Sequence, residues 1–225
     1  MFNGKPLSFS NRWAFEYKTC PACRLKSQAE YEIRSERERE EERRVRLESF
    51  LGGQRAYNDY TFEKFDHAQN TDAYHAALGF DPSKQNLYLW GPCGVGKSHL
   101  AYAIARRTYE TKGSVSACIY KPPALMRDLR GLEPNEEADR IDRLAHTPVF
   151  VLDDLGVGKA TEFAVQMLYE IADARSMAYR NGLVVTSNLS LDQLAQKIGD
   201  DRLASRLGGM CKGNIYEMKG RDFRI

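Results

Sequence analysis

The chain has 225 residues, enough for one α/β domain of ordinary size plus a smaller appendage, and its 42% hydrophobic content supports a packed core. Its 33 Lys and Arg against 31 Asp and Glu leave a formal charge of +2, so any contact with a polyanion must come from local patches, not from a global field. No apolar run approaches ~20 residues, the N-terminus lacks a secretory pattern and the five cysteines are irregularly spaced; these exclude a membrane-spanning helix and a disulfide framework and predict a soluble, cytoplasmic protein in a reducing compartment.

From the N-terminus, Cys20-Pro21-Ala22-Cys23 has the spacing of half a zinc site. A closed site needs four ligands and no second pair lies close in sequence, so a free, inert pair is expected, with a zinc ion shared between two chains as the alternative. Ser27–Leu51 is rich in strong helix formers and holds alternating Glu and Arg between Glu36 and Arg44. It predicts a solvated helix laced with i, i+4 ion pairs, or else a partner-binding helix or short coiled coil using Tyr31, Ile33, Val45, Leu47 and Phe50. Gly52-Gly53 reads as a hinge, separating a partner-binding or linker region, 1–53, from a second domain over 54–225.

Apolar Asn86–Trp90 has strand length, and Gly91-Pro92-Cys93-Gly94-Val95-Gly96-Lys97-Ser98 after it fits G-x-x-x-x-G-K-[ST] without a mismatch. A helix over His99–Thr111 completes the order that builds a phosphate cradle. Glycines let the backbone turn its N–H groups inward, and the helix presents its positive end to the anion. Gly91 to Ser98, with His99 behind them, are the expected nucleotide-binding residues: Lys97 neutralises the β/γ-phosphates of ATP and the Ser98 hydroxyl takes a place on Mg²⁺.

A strand over Ser114–Tyr120 leads through Lys121-Pro122-Pro123 into a helix ending at Arg130, then polar Gly131–Glu137 and a helix over Ala138–Ala145. Val149–Leu152, apolar at every position, suits a central parallel strand buried on both faces, and Asp153-Asp154 stand at its carboxyl end, where an open α/β sheet keeps its ligand. Asp153 is expected to hold Mg²⁺, mainly through waters, and Asp154 to polarise the attacking water; a pair of aspartates capping a turn is the plainer reading. Glu162–Arg180 has helical periodicity and ends at Asn181-Gly182. Strand Leu183–Thr186 runs into Ser187-Asn188, which places Asn188 to bond the attacking water or the γ-phosphate, and Ser190 caps a helix over Leu191–Ile198. In the short helix Asp200–Leu207, Arg202 and Arg206 leave on one face; they pair locally with Asp200 and Asp201, or one serves a neighbouring subunit as an arginine finger. Ile215–Met218 is the fifth strand, giving a parallel sheet with helices on both faces.

From about Tyr60 onward the chain resembles the AAA+ ATPases of the DnaC-type helicase loaders, with the IstB-type transposition helpers as close relatives. The matching stretches are Tyr60-Thr61-Phe62-Glu63-Lys64-Phe65, Gly91–Ala101, Val149–Gly156, Thr186-Ser187-Asn188, Arg202–Arg206 and Lys219-Gly220-Arg221-Asp222-Phe223-Arg224. The resemblance implies a P-loop sheet of AAA+ type over 54–225; the chain departs from it in that few residues follow the last strand, so no full helical lid is expected, and the charged N-terminal segment adds a small helical extension. It implies Asn188 as sensor 1, Arg206 as the finger with Arg202 as its competitor, and Arg224 as the sensor 2 arginine. It further implies a homo-oligomeric ring or spiral that hydrolyses ATP, binds single-stranded DNA along Tyr120, Lys121, Arg127 and Arg130, and places a DnaB-type hexameric replicative helicase on that DNA during replication initiation. Two other readings stay open: an IstB-like helper of a transposase, and a nucleotide-dependent DNA-binding adaptor in which hydrolysis is incidental.

Overall fold

The computed structural model describes residues 21–51, 57, 59–112, 116–158, 161–178 and 182–223. The expectations placed on Cys20, on the Gly52-Gly53 hinge and on Arg224 lie outside these residues, as does the side chain of Cys23. The chain divides into two units, Met1–Arg46 and Leu47–Ile225. No described helix is long and apolar enough to cross a membrane.

Helix α1, Pro21–Phe50, supplies the described part of the first unit. Most of its described charged side chains are exposed, and some pair along the helix, Arg44 with Glu41 at 2.7 Å and Arg46 with Glu42 at 3.3 Å, contacts worth a few tenths of a kcal/mol each. Tyr31, Ile33 and Val45 are exposed. The last turn belongs to the second unit, where Leu47 and Leu51 are buried with Tyr102 and the Phe50 ring stacks on Tyr109. Two of the apolar residues considered for a partner are therefore spent inside the fold.

The second unit runs α2 (Thr71–Leu78), β1 (Leu87–Trp90), α3 (Lys97–Lys112), β2 (Ala117–Tyr120), α4 (Pro122–Leu129), α5 (Pro134–His146), β3 (Val149–Leu155), α6 (Glu162–Met177), β4 (Gly182–Ser187), α7 (Leu191–Ile198), α8 (Arg202–Met210) and β5 (Ile215–Glu217). The strands form one parallel sheet in the order β2-β3-β4-β1-β5. Side chains alternate across it, as the strand period of two requires. Leu87, Leu89, Val149, Val151 and Val184 meet α2 and α3 on one face. Tyr88, Phe150, Leu152, Leu183 and Val185 meet α4, α6, α7 and α8 on the other. Burying each large apolar side chain contributes about 1.5–3 kcal/mol, so β3, almost solvent-free from Val149 to Leu152, anchors the sheet.

Several boundaries differ from the sequence expectation for local reasons. Helix α5 begins at Pro134, not Ala138, because Pro134 occupies its first turn and Glu133 and Glu136 form a capping box. β2 starts at Ala117 and α6 stops at Met177, shorter than the expected Ser114–Tyr120 and Glu162–Arg180. β3 continues past Leu152 through both aspartates to Leu155.

Arg175, on α6, is buried without a carboxylate partner among the described residues. Its guanidinium donates to the carbonyls of Leu144, Ala145 and Thr147 at the end of α5 and to Gly182 at the start of β4, at 2.5, 3.3, 3.0 and 2.7 Å, and lies 5.3 Å from the Phe150 ring centroid. Burial pushes its pKa down to about 10, which still leaves it charged at neutral pH. A cation at a helix C-terminus satisfies carbonyls that have no intrahelical donor. Arg175→Met leaves those carbonyls unpaired and is expected to lower stability by about 2–4 kcal/mol in urea unfolding; a change below about 0.5 kcal/mol would remove Arg175 from this role.

Candidate functional site

Because β4 lies between β1 and β3, three strands deliver their exit residues to one place at the carboxyl edge of the sheet. Ser98 Oγ, in the first turn of α3, donates to Asp153 Oδ1 at 2.7 Å; Thr186 Oγ1, from β4, donates to the same oxygen at 2.7 Å. Thr186 Oγ1 also accepts from the Asp154 N–H at 2.9 Å. Asp153 is fully buried, and its Oδ2 has no hydrogen-bond partner among the described residues; the Lys121 ammonium stands 3.7 Å away. Burial pushes the Asp153 carboxyl above its ordinary pKa, against the pull of Ser98 and Thr186, and the Asp154 charge adds to the rise. An orphaned buried carboxylate oxygen beside a serine hydroxyl at the mouth of a phosphate loop is the hard-oxygen donor set that suits Mg²⁺, which keeps most of its waters. The residues fit that ion.

A bulge sets the second carboxylate. The β3–β4 register shifts between Leu152 and Leu155, and Asp154 has φ 62°, the one positive value among described non-glycine residues. Consecutive strand residues normally point to opposite faces, whereas this distortion brings both aspartates within reach of one ammonium: Lys121 Nζ donates to Asp154 Oδ2 at 3.0 Å. Such a backbone state costs on the order of 1–3 kcal/mol and persists where neighbours hold it; here Thr186 takes the Asp154 N–H and Lys121 its carboxylate. Burial works to lower the Lys121 pKa, but the hydrogen bond and charge of Asp154, with the charge of Asp153, raise it, so the ammonium is charged.

Lys97 is buried in the loop, its Nζ donating to the Gly91 and Pro92 carbonyls at 2.8 and 2.5 Å. It lines a cleft of ≈ 380 Å³ together with Cys93, Gly94, Gly96, Ser98, His99, Lys121, Asp154, Asn188 and Phe223, and Tyr57, Tyr60 and Phe65 form an aromatic wall. Val95 is buried beneath the loop. His99 fastens that wall to α3: its Nε2 donates to the Thr61 carbonyl at 2.7 Å, its ring stacks on Tyr60 at 4.7 Å, and it meets Phe65 edge-on at 5.3 Å. Burial holds its pKa below the ordinary histidine value.

The other expected residues lie apart from this cleft. Arg202 forms a two-toothed pair with Asp200, and Arg206 pairs with Asp173; both guanidinium groups lie over the Tyr169 ring, 5.8 and 5.9 Å from its centroid. They line a separate depression of ≈ 760 Å³ that also includes Lys84 and Tyr169. Arg127 and Arg130 are exposed on and just after α4, Arg130 lying 5.9 Å from the Phe163 ring centroid. The Tyr120 hydroxyl accepts from Arg140 Nη2 at 2.5 Å, and the same guanidinium lies 5.9 Å from its ring centroid, so Tyr120 is already engaged. The sequence reading grouped Lys121 with these DNA candidates; in the structure it lines the cleft beside Asp153 and Asp154. Thr186 was missed as a site residue, although a threonine at the end of a strand beside the acidic strand was the available signal.

The family model described as IstB-like ATP binding protein matches residues 16–224. The "Insertion sequence IS5376 putative ATP-binding protein" of Geobacillus stearothermophilus is 26% identical over 156 residues, 66% of this chain and 59% of that protein. The "Replicative helicase loader DnaI" of Bacillus subtilis (strain 168) is 29% identical over 111 residues, 49% of this chain and 35% of that protein. The chain thus spans less than two thirds of the curated relatives it matches. A crystal structure of DnaI superposes with a TM-score of 0.58 at 26% identity, covering 75% of this chain and 93% of that one.

The half-buried His99 makes stability depend on pH. Its folded pKa lies below the unfolded value, so the unfolded chain binds the proton first; the His99 contribution is complete above about pH 6.5 and is lost as pH falls through the folded pKa. The thermal midpoint of the wild type is expected to fall more than that of His99→Gln between about pH 7.5 and about pH 5. Parallel profiles for the two proteins would contradict the assignment.

Proposed function

The chain belongs to the IstB-like ATP-binding family, of DnaC-type AAA+ ATPases, and we propose that it is a magnesium-dependent ATPase that assembles on single-stranded DNA and serves a partner DNA machine. The observation that carries this reading is the single carboxylate, Asp153, bridged by Ser98 of the phosphate loop and Thr186 of β4 beside Asp154 and Asn188. Lys97 and the loop amides bind the β- and γ-phosphates and orient the terminal one. Mg²⁺, held by Ser98 and Asp153, would offset negative charge on those phosphates. Asp154 accepts the proton of the attacking water, Asn188 orients that water, and Lys121 holds Asp154 in its turned conformation. Arg206 lines a depression separate from its own chain's cleft, which supports a role on the γ-phosphate of a neighbouring subunit; Arg202, tied to Asp200, is the weaker candidate. Arg224 is proposed to meet the same phosphate.

Exposed Arg127 and Arg130 are proposed to hold DNA phosphates, with Lys121 reserved for the acidic pair. For the partner, similarity to insertion-sequence ATP-binding proteins from several bacteria, and a family match that reaches back to residue 16, favour a transposase. The likeness to DnaI supports loading of a hexameric replicative helicase as the second reading. In either, residues 1–53 are proposed to meet the partner and 54–225 to form the ATPase domain. Capture of a purified transposase or a DnaB-type helicase by this chain separates the two.

Asp154→Asn is expected to keep Mg-ATP binding and lose turnover by about 10²-fold or more, while Lys97→Ala loses binding. Arg206→Ala should be inactive alone yet regain part of the activity when mixed with Lys97→Ala, because a mixed assembly builds some complete sites. Wild-type turnover in Asp154→Asn would sink the hydrolysis reading. Arg127→Ala combined with Arg130→Ala is expected to weaken single-stranded DNA binding, measured by anisotropy at fixed salt, with Mg-ATP affinity unchanged. Unaltered DNA binding would remove this surface from the account.

A further inference from the structure

Past β5 the chain stays on the phosphate loop. The Met218 N–H donates to the Trp90 carbonyl at 2.7 Å. Asn70, buried at the start of α2, then grips Lys219 from both sides: its Nδ2 donates to the Lys219 carbonyl at 2.9 Å, and its Oδ1 accepts from the Lys219 N–H at 2.8 Å. Further on, the Phe223 N–H donates to the Gly94 carbonyl at 3.2 Å. A Cβ on Gly91 would fall 2.1 Å from the Met218 carbonyl oxygen, and one on Gly94 1.8 Å from Asp222 Oδ1. Residues 218–223 thus form a strap that touches the loop at two places only glycine allows.

The strap carries an aromatic ring to the cleft. Phe223 lines the same cavity as Lys97 and Ser98 and remains 41% exposed. The cleft's other aromatic rings each have a ring partner: Tyr60 stacks on His99, Tyr57 packs on Tyr102 at 4.4 Å, and Phe65 stacks on Tyr74 at 5.7 Å. For Phe223 the one ring contact among the described residues is the Arg221 guanidinium, 5.2 Å from its centroid. A half-exposed phenyl ring, backed by a cation and bonded through its own backbone to the phosphate loop, is placed to cover an aromatic heterocycle whose phosphates lie in that loop.

We propose that Phe223 stacks on the nucleobase of the bound nucleotide, with Arg221 on the other side of the ring, so that the 218–223 strap closes the base end of the cleft. This rests on the reading of the cleft as a nucleoside triphosphate site. Calorimetry on the full chain with Mg-ATP and with Mg-tripolyphosphate, which has the phosphates but no base, tests the two apart. Phe223→Ala is expected to bind ATP about tenfold more weakly and tripolyphosphate as the wild type does. Phe223→Trp is expected to keep ATP affinity and to show indole quenching by ATP beyond that of the wild type, with none from tripolyphosphate. Unchanged ATP affinity in Phe223→Ala, equal loss of both ligands, or an added indole signal in Phe223→Trp that is blind to ATP would overturn the proposal. A wild type that binds neither ligand would remove the nucleotide site itself, and the strap's role with it.

Discussion

One buried carboxylate oxygen organises this molecule. Asp153 Oδ1 accepts hydrogen bonds from Ser98 and from Thr186, so β3, β4 and the helix after the phosphate loop meet at a single atom. Leaving a carboxylate in a solvent-free place is costly unless it is bonded, and the two hydroxyls satisfy one oxygen while the other has no hydrogen bond among the described residues, the Lys121 ammonium standing 3.7 Å from it. The imbalance supports the functional reading: a site whose protein groups fully neutralised Asp153 would have nothing to offer a cation. The strand order makes the arrangement possible, because β4 between β1 and β3 puts Thr186 between the loop and the acid.

The rest of the cleft follows from managing that charge. Asp154 is turned into an unfavourable backbone state so that its carboxylate meets Lys121. The arginines that would complete the chemistry are held on another surface, each paired with its own aspartate. One chain therefore holds the loop, acids and asparagine in one cleft and the two arginines on a separate surface. The proposed sharing of a site between neighbouring subunits rests on that separation.

Much of this was legible in the sequence because the chemistry is local. The phosphate loop is a contiguous motif, Val149–Leu152 is apolar at every position, and Asp153-Asp154 follow directly. What sequence hid depends on contacts between distant segments. Helix α2 escaped notice because it is short and Asn70, at its N-cap, makes no capping bond; that side chain is spent on Lys219, 149 residues away. Polar Pro134–Glu137 reads as a loop until the Glu133–Glu136 capping box is seen. Arg175 looks like one more charged helix residue, yet it is buried on four carbonyls. Lys121 reads as a surface cation beside two prolines; only the bulge in β3 reveals its partners.

The most direct test of the Ser98–Asp153–Thr186 arrangement is the magnesium dependence of ATP binding in the wild type and in Asp153→Asn, which keeps an oxygen for the two hydroxyls but loses the charge. The account predicts that the wild type binds ATP more tightly with Mg²⁺ than with EDTA, and that Asp153→Asn, folded to the same thermal midpoint within a few degrees, shows little difference between the two conditions. An equal magnesium dependence in both proteins would contradict it.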